Sequence, residues 1–199
     1  IVIGLDEISC FTKKSSHESQ SLRKPYKNSF NPYISYFFLS PSFSLNKAIR
    51  DAKANEMYKE GMYLTIYETG SFFVNKKDTF IDNNKQLHIL DKTFSEPYYW
   101  PSERVENFKE CLEDIKMIKK ICESKNIELE FFINPIYIKV YEKAVSKGFL
   151  KFINDLKKIV DFKDFNNFKE ITTNNLNYYE KSHYRPIVGD FIIDRIFNK

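Results

Sequence analysis

The chain has 199 residues, of which 42% are hydrophobic and 17% aromatic; this is enough apolar material for one packed domain and excludes a disordered polymer. Its 31 basic and 27 acidic residues leave a net charge of +4, with the signs interspersed: Lys116, Lys119 and Lys120 run beside Glu110, Glu113 and Asp114. That is the pattern of a solvated helix face, not the one-signed stripe that nucleic acid demands, so no nucleic-acid partner is expected. Cys10, Cys111 and Cys122 form no CxxC pair and their odd number excludes a fully paired disulfide set, so buried thiols and no metal site are expected.

The apolar run Ile1-Val2-Ile3-Gly4-Leu5 reads as a buried parallel strand already in progress, and further residues are expected upstream of it. No stretch has the length and apolarity of a membrane span. Asp6 and Glu7 fall where that strand meets a loop, the end of a parallel strand at which ligands bind. Residues 12–31 are polar and read as loop. Pro32 favours a helix start, and the spacing predicts a helix over 42–56. Residues 57–101 are the least regular, a candidate insertion or lid within a single domain spanning 1–199. Within them, 62–67 and 72–74 suggest a hairpin around Gly70, Asp82-Asn83-Asn84 a turn, and Pro97-Tyr98-Tyr99-Trp100-Pro101 an aromatic loop.

The second half is more regular. Ser102 with Glu103 and Glu106 predicts a helix N-terminus. Val105, Phe108, Leu112, Ile115, Ile118, Ile121 and Cys122 then follow the spacing of one apolar helical face, which Asn126 terminates. A strand is expected over 127–133, ended by Asn134-Pro135. A helical region over 138–158 is interrupted by Gly148, and a short strand lies at 160–162. A polar and aromatic loop over 163–184 leads to a last helix that Pro186 starts. Strands alternating with helices imply a mainly parallel sheet flanked by helices, with the loops after Leu5, Ile133 and Phe162 at one edge.

Of the three histidines, His17 and His88 read as ordinary surface or packing residues. His183 differs, because Glu180 precedes it by three residues in the loop before the last helix. A carboxylate at that spacing can accept the Nδ1 proton, fix the tautomer and leave Nε2 as a general base. It also stabilises the imidazolium once formed.

The wider wording, Asn177-Tyr178-Tyr179-Glu180-Lys181-Ser182-His183-Tyr184-Arg185-Pro186 followed by Gly189-Asp190, resembles the C-terminal block of the SGNH (GDSL-like) hydrolases, in particular a bacterial subgroup associated with the cell envelope. The resemblance covers mainly residues 102–199, with a weaker match of 1–6 to a central strand. It implies an α/β three-layer sandwich, SGNH/flavodoxin-like and N-terminally truncated here. It implies an esterase or acyltransferase acting on acyl esters, such as O-acetyl groups of a glycan, with no cofactor, no metal and no membrane contact within this chain. His183 takes the place of the base and Glu180 that of the acid, where the family usually has Asp. Gly4 and Asp6 fall where the family's Gly-x-Asn contributes to an oxyanion hole; an ionised Asp6 would repel that oxyanion, leaving it to orient another group or to cap a loop.

Asn134 either lines the cleft or simply ends its strand, and Tyr184 and Arg185 either contact substrate or pack under the last helix. Ser182 reads as a turn serine. The family's nucleophile motif, Gly-Asp-Ser, does not occur; Gly70-Ser71 lacks its Asp, and Gly189-Asp190 is followed by Phe191. The nucleophile is therefore expected upstream of Ile1 or missing. A missing nucleophile would make the chain a non-catalytic glycan-binding or envelope-assembly protein, with Tyr, Phe and Trp100 offering faces to sugar rings.

Overall fold

The computed structural model describes residues 1–12, 64–66, 71–73 and 75–197. Strand β1 (Val2–Leu5) pairs in parallel with β4 (Glu130–Ile133), and β4 pairs in parallel with β5 (Phe162–Asp164). The sheet order is β1-β4-β5, so β4, with its Phe131, Phe132 and Ile133, is central. Helices connect these strands, which makes the chain an α/β protein with a small parallel sheet.

The chain divides into two compact units, one of Ile1–Lys13 with Asn84–Lys199, the other Lys14–Asn83. The stretch 84–101, grouped by sequence with a possible insertion, thus belongs to the unit that holds the sheet. In the second unit, β2 (Leu64–Ile66) and β3 (Ser71–Phe73) pair antiparallel, as the hairpin reading around Gly70 expects, and helix α2 (Asn75–Asn83) follows. The loop expected at 12–31, apart from Thr12, and the helix expected at 42–56 lie outside the described residues.

In the first unit, α1 (Glu7–Phe11) follows β1 at once, capped by Asp6. Two short helices, α3 (Lys85–Ile89) and α4 (Lys92–Ser95), lead into the aromatic loop at 97–101. Helix α5 (Phe108–Ser124) buries Phe108, Ile115 and Cys122, one seam at seven-residue spacing. It begins later than the Ser102 cap predicts, with Asn107 as its first cap residue. A turn and a tertiary bond hold the stretch before it: the Arg104 N–H donates to the Pro101 carbonyl at 3.1 Å, the Trp100 indole N–H to the Arg104 carbonyl at 3.2 Å, and the Asn107 N–H to the distant Cys10 carbonyl at 2.8 Å. Val105 therefore stays more than a third exposed instead of joining the apolar face.

Helices α6 (Ile138–Ser146) and α7 (Phe149–Leu156) split the predicted helical region at Gly148, whose φ of 101° is left-handed. Phe149, Phe152, Ile153 and Leu156 form the buried stripe of α7; each contributes roughly 1.5–3 kcal/mol by leaving water. A Gly148→Ala substitution is expected to cost about 1–2 kcal/mol, because a Cβ meets the left-handed backbone strain and lies 3.4 Å from the Phe108 ring. Urea unfolding of the variant checks this.

After β5 come a 3₁₀ turn (Phe165–Asn167), α8 (Lys169–Thr172) and a second 3₁₀ turn (Asn175–Asn177). The antiparallel pair β6 (Tyr178–Glu180) and β7 (His183–Tyr184) follows, and α9 (Pro186–Phe197) closes the unit, starting at the proline as predicted. The strand expected at 160–162 is displaced to Phe162–Asp164, where Val160 is buried and only Phe162 is shared.

Alternation along β4 divides the apolar residues. Phe131 and Ile133 join a cluster with Leu5, Phe11, Phe108, Phe149 and Phe152, while Phe132 packs into a second cluster with Phe165, Val188, Ile192 and Ile196. Gly4, opposite Phe132, is half of this arrangement: a Cβ there would come 2.6 Å from the Phe132 ring. One expectation changes. β1 is parallel, but Ile1 and Val2 are 61% and 40% exposed, because the strand has only β4 as a neighbour among the described residues.

The three thiols are free. Burial pushes the Cys10 thiol far above the ordinary range and the Cys111 thiol up to about 11, so neither is a thiolate near neutral pH. Ellman's reagent at pH 8 is expected to label the native protein slowly and to titrate all three cysteines once denaturant is added. Prompt labelling of Cys10 in the native state would contradict the burial.

Candidate functional site

The β6–β7 pair sits at the carboxyl end of β4. The buried Tyr178 hydroxyl donates to the Pro135 carbonyl at 2.8 Å, and the Tyr184 hydroxyl donates to Asn134 Oδ1 at 3.2 Å. Asn134 in turn donates its backbone N–H to the Leu5 carbonyl at 2.7 Å, tying the ends of β4 and β1 together. A histidine completes the anchoring: Nε2 of the buried His88 donates to the carbonyls of Tyr178 and Asn175, at 2.9 and 3.1 Å. Because both partners are carbonyl oxygens, the proton is on Nε2. His88 is the packing residue that the sequence suggests.

At the tip of this hairpin the Glu180 carboxylate accepts the Nδ1–H of His183. Its other oxygen accepts the Ser182 backbone N–H at 2.8 Å. Glu180 is thus held on both sides, and the longer side chain does reach the imidazole across the three-residue spacing. Nε2 of His183 makes no hydrogen bond among the described residues. The pair is open to solvent, with the His183 side chain 78% and the Glu180 side chain 35% exposed, so its attraction alone adds little to stability.

Asp6 is engaged locally. Its Oδ1 accepts from the Ser9 backbone N–H and from the Ser9 hydroxyl, each at 2.9 Å, and Ser9 Oγ accepts the Asp6 N–H. This capping box starts α1, so the capping alternative describes what the Asp6 side chain does. Ser9, which lies one turn past the end of β1, has its hydroxyl committed to the same cap. Asp6 is also close enough to Tyr184 for its charge to add to burial in raising the Tyr184 hydroxyl above the ordinary range. Asn134, with Oδ1 taken by Tyr184, keeps its amide N–H₂ without a partner among the described residues.

Arg185 is buried; it donates from its backbone to the Asn177 carbonyl at 2.8 Å and from Nη1 to the Leu176 carbonyl at 3.0 Å. It braces the loop that presents the dyad. Gly4 is placed by the Phe132 ring, as described above. The structure therefore gathers Glu180, His183, Tyr184, Asn134 and Asp6 at one sheet edge, with Arg185 and Gly4 supporting them.

Arg104 and Tyr98, which the sequence did not single out as site residues, join Glu7 and Trp100 at this edge. Arg104 pairs with the buried Glu7 at 3.0 Å, and its guanidinium lies over the Trp100 ring, 5.3 Å from the centroid. Burial raises the Glu7 carboxyl above its usual range, Asp6 adds to this, and Arg104 opposes it. The Tyr98 hydroxyl is raised mainly by burial; Arg104 beside it pulls the other way, while Glu7 and Glu180 push further up. In sequence, Glu7 at the strand end and the aromatic wording at 97–101 marked this region, but not the pairing, whose partners are 97 residues apart.

No group of three or more potential metal-binding His, Cys, Asp or Glu side chains occurs among the described residues, and no described helix is long and apolar enough to cross a membrane. No family model, no curated protein and no solved structure matches this chain.

Proposed function

We propose that the chain is an SGNH-like esterase or O-acyltransferase acting on acyl esters of a glycan or of a small substrate, with Glu180 and His183 as the acid–base half of a serine triad. The observation that carries this is the Glu180 carboxylate on Nδ1 of His183 in a hairpin docked at the carboxyl end of a parallel strand. In that arrangement Nε2 takes the proton of an attacking hydroxyl and Glu180 stabilises the resulting imidazolium. The division of β4 side chains between two apolar clusters supports a three-layer sandwich. Asn134, not Asp6, is the side chain suited to donate N–H bonds to a developing oxyanion.

The second reading is a non-catalytic glycan-binding or envelope-assembly protein of the same fold. One observation favours it: Asp6, at the oxyanion position implied by the resemblance, is occupied in a helix cap. Hydrolysis of p-nitrophenyl acetate by the wild-type protein and by His183→Ala separates the two. Turnover that depends on His183 supports the enzyme; identical rates in both would leave the binding protein as the better reading.

A further inference from the structure

The loop between Pro97 and Pro101 forms one wall of a groove of about 600 Å³, lined by Tyr98, Tyr99, Trp100, Glu106, Lys143 and Lys147 among others. A second hollow of about 460 Å³ shares Pro97, Tyr98 and Lys143 and continues along α6 past Lys139 and Glu142. A hydrogen bond ties the groove wall to the hairpin that carries the dyad: the Lys181 ammonium, next to Glu180 in sequence, donates to the carbonyl of Glu96 at 2.7 Å, and Glu96 precedes the Pro97 that lines both hollows.

The aromatic loop is not explained by core packing alone. Trp100 packs edge-on against Phe11 at 4.8 Å between centroids, yet Tyr99 next to it is 81% exposed. Arg104 is committed to Glu7, and Lys139 donates to the Ser95 carbonyl at 2.6 Å. Four charged groups remain along the groove: Lys143, Lys147, Glu106 and Glu142, whose side chains have no hydrogen bond or ion pair among the described residues.

That set selects a ligand by chemistry. Two ammonium and two carboxylate groups are wrong for a polyanion, which wants cations only, and wrong for an apolar ligand, which would strand them. A ligand rich in hydroxyls suits both, since a hydroxyl donates to carboxylate and accepts from ammonium. The C–H face of a pyranose ring can lie on an exposed tyrosine. We propose that this groove binds a stretch of glycan chain and presents its ester to the Glu180–His183 edge. The class of substrate rests on the reading in the preceding section; the place and the residues rest on the groove.

Trp100 is the only tryptophan of the chain and lines the groove, so its fluorescence reports on this site. The wild-type protein is titrated with cellotetraose, maltotetraose and N-acetylchitotetraose. A saturable change with at least one of them is expected, weakened about tenfold or more by Tyr99→Ala and by Lys143→Ala, the loss of roughly one stacking contact or one hydrogen bond to a charged group. Tyr99 is nearly bare, so its variant is expected to keep the native circular dichroism. No saturable change with any of the three sugars, or full affinity in both variants, would overturn the proposal. The acetate assay separates this from the esterase reading, because p-nitrophenyl acetate carries no glycan. Saturable binding without His183-dependent hydrolysis upholds the groove and removes the enzyme. His183-dependent hydrolysis without binding removes the groove and keeps the enzyme.

Discussion

Replacing His183 by alanine is expected to lower kcat/KM for p-nitrophenyl acetate by about 10²–10⁴-fold, the usual contribution of a positioned general base. The side chain is 78% exposed, so its removal leaves no cavity and the fold is expected to stay intact. The loss then belongs to the chemistry. Glu180→Gln is expected to cost less, about fivefold, because a solvent-screened ion pair is worth about 1 kcal/mol. The Gln side chain can still accept the Ser182 N–H that Glu180 takes at 2.8 Å, so the turn survives. If Glu180→Gln proves as harmful as His183→Ala, the carboxylate does more than orient the ring. If neither matters, the dyad is a surface ion pair and no more.

Arg104→Ala is expected to destabilise the protein by about 3–5 kcal/mol at pH 7, because it strands a buried carboxylate. Glu7 is 5% exposed, and its charge is balanced by a guanidinium at 3.0 Å. The pH dependence follows from the direction of the Glu7 shift. Its carboxyl is raised in the folded protein even with Arg104 present, and without Arg104 it rises further. The folded state then binds the proton more tightly than the unfolded state, so stability falls as pH rises from the unfolded value of 4.5 through the folded value. The penalty is therefore greatest above that window and smallest below 4.5, where Glu7 is protonated in both states. A remainder independent of pH is expected, since the guanidinium also covers Trp100. Urea unfolding of both proteins at pH 7 and at pH 4 measures the two parts. An equal penalty at both values would show that the charge on Glu7 is not the cause.

The sequence carried what depends on near neighbours. Gly148 and Asn126, at φ of 101° and 53°, stop helices where the pattern said they would, and Pro186 starts the last one. The Glu180–His183 contact was readable because three residues separate its partners. What the sequence did not carry depends on distant ones. Ser102 has the wording of a helix cap, but Arg104 and Asn107 are drawn to Glu7, Cys10 and Thr12, so the helix waits until Phe108. α3 and α4 have five and four residues, too short for any apolar period to show. Tyr98 and Arg104 entered the site only through contacts made by folding.

The anchoring of the hairpin has a kinetic side. The dyad itself is local, but what fixes it against the sheet spans 90 residues from His88 to Tyr178, 50 from Asn134 to Tyr184 and 43 from Pro135 to Tyr178. Contacts of such separation close loops at an entropic cost and form after local ones. The dyad pair can thus exist in a chain whose hairpin has not docked, paired but aimed at nothing. Its amides at Tyr178–Tyr184 are expected to gain hydrogen-exchange protection later in refolding than those of α5 and α7, and to lose it sooner in native-state opening.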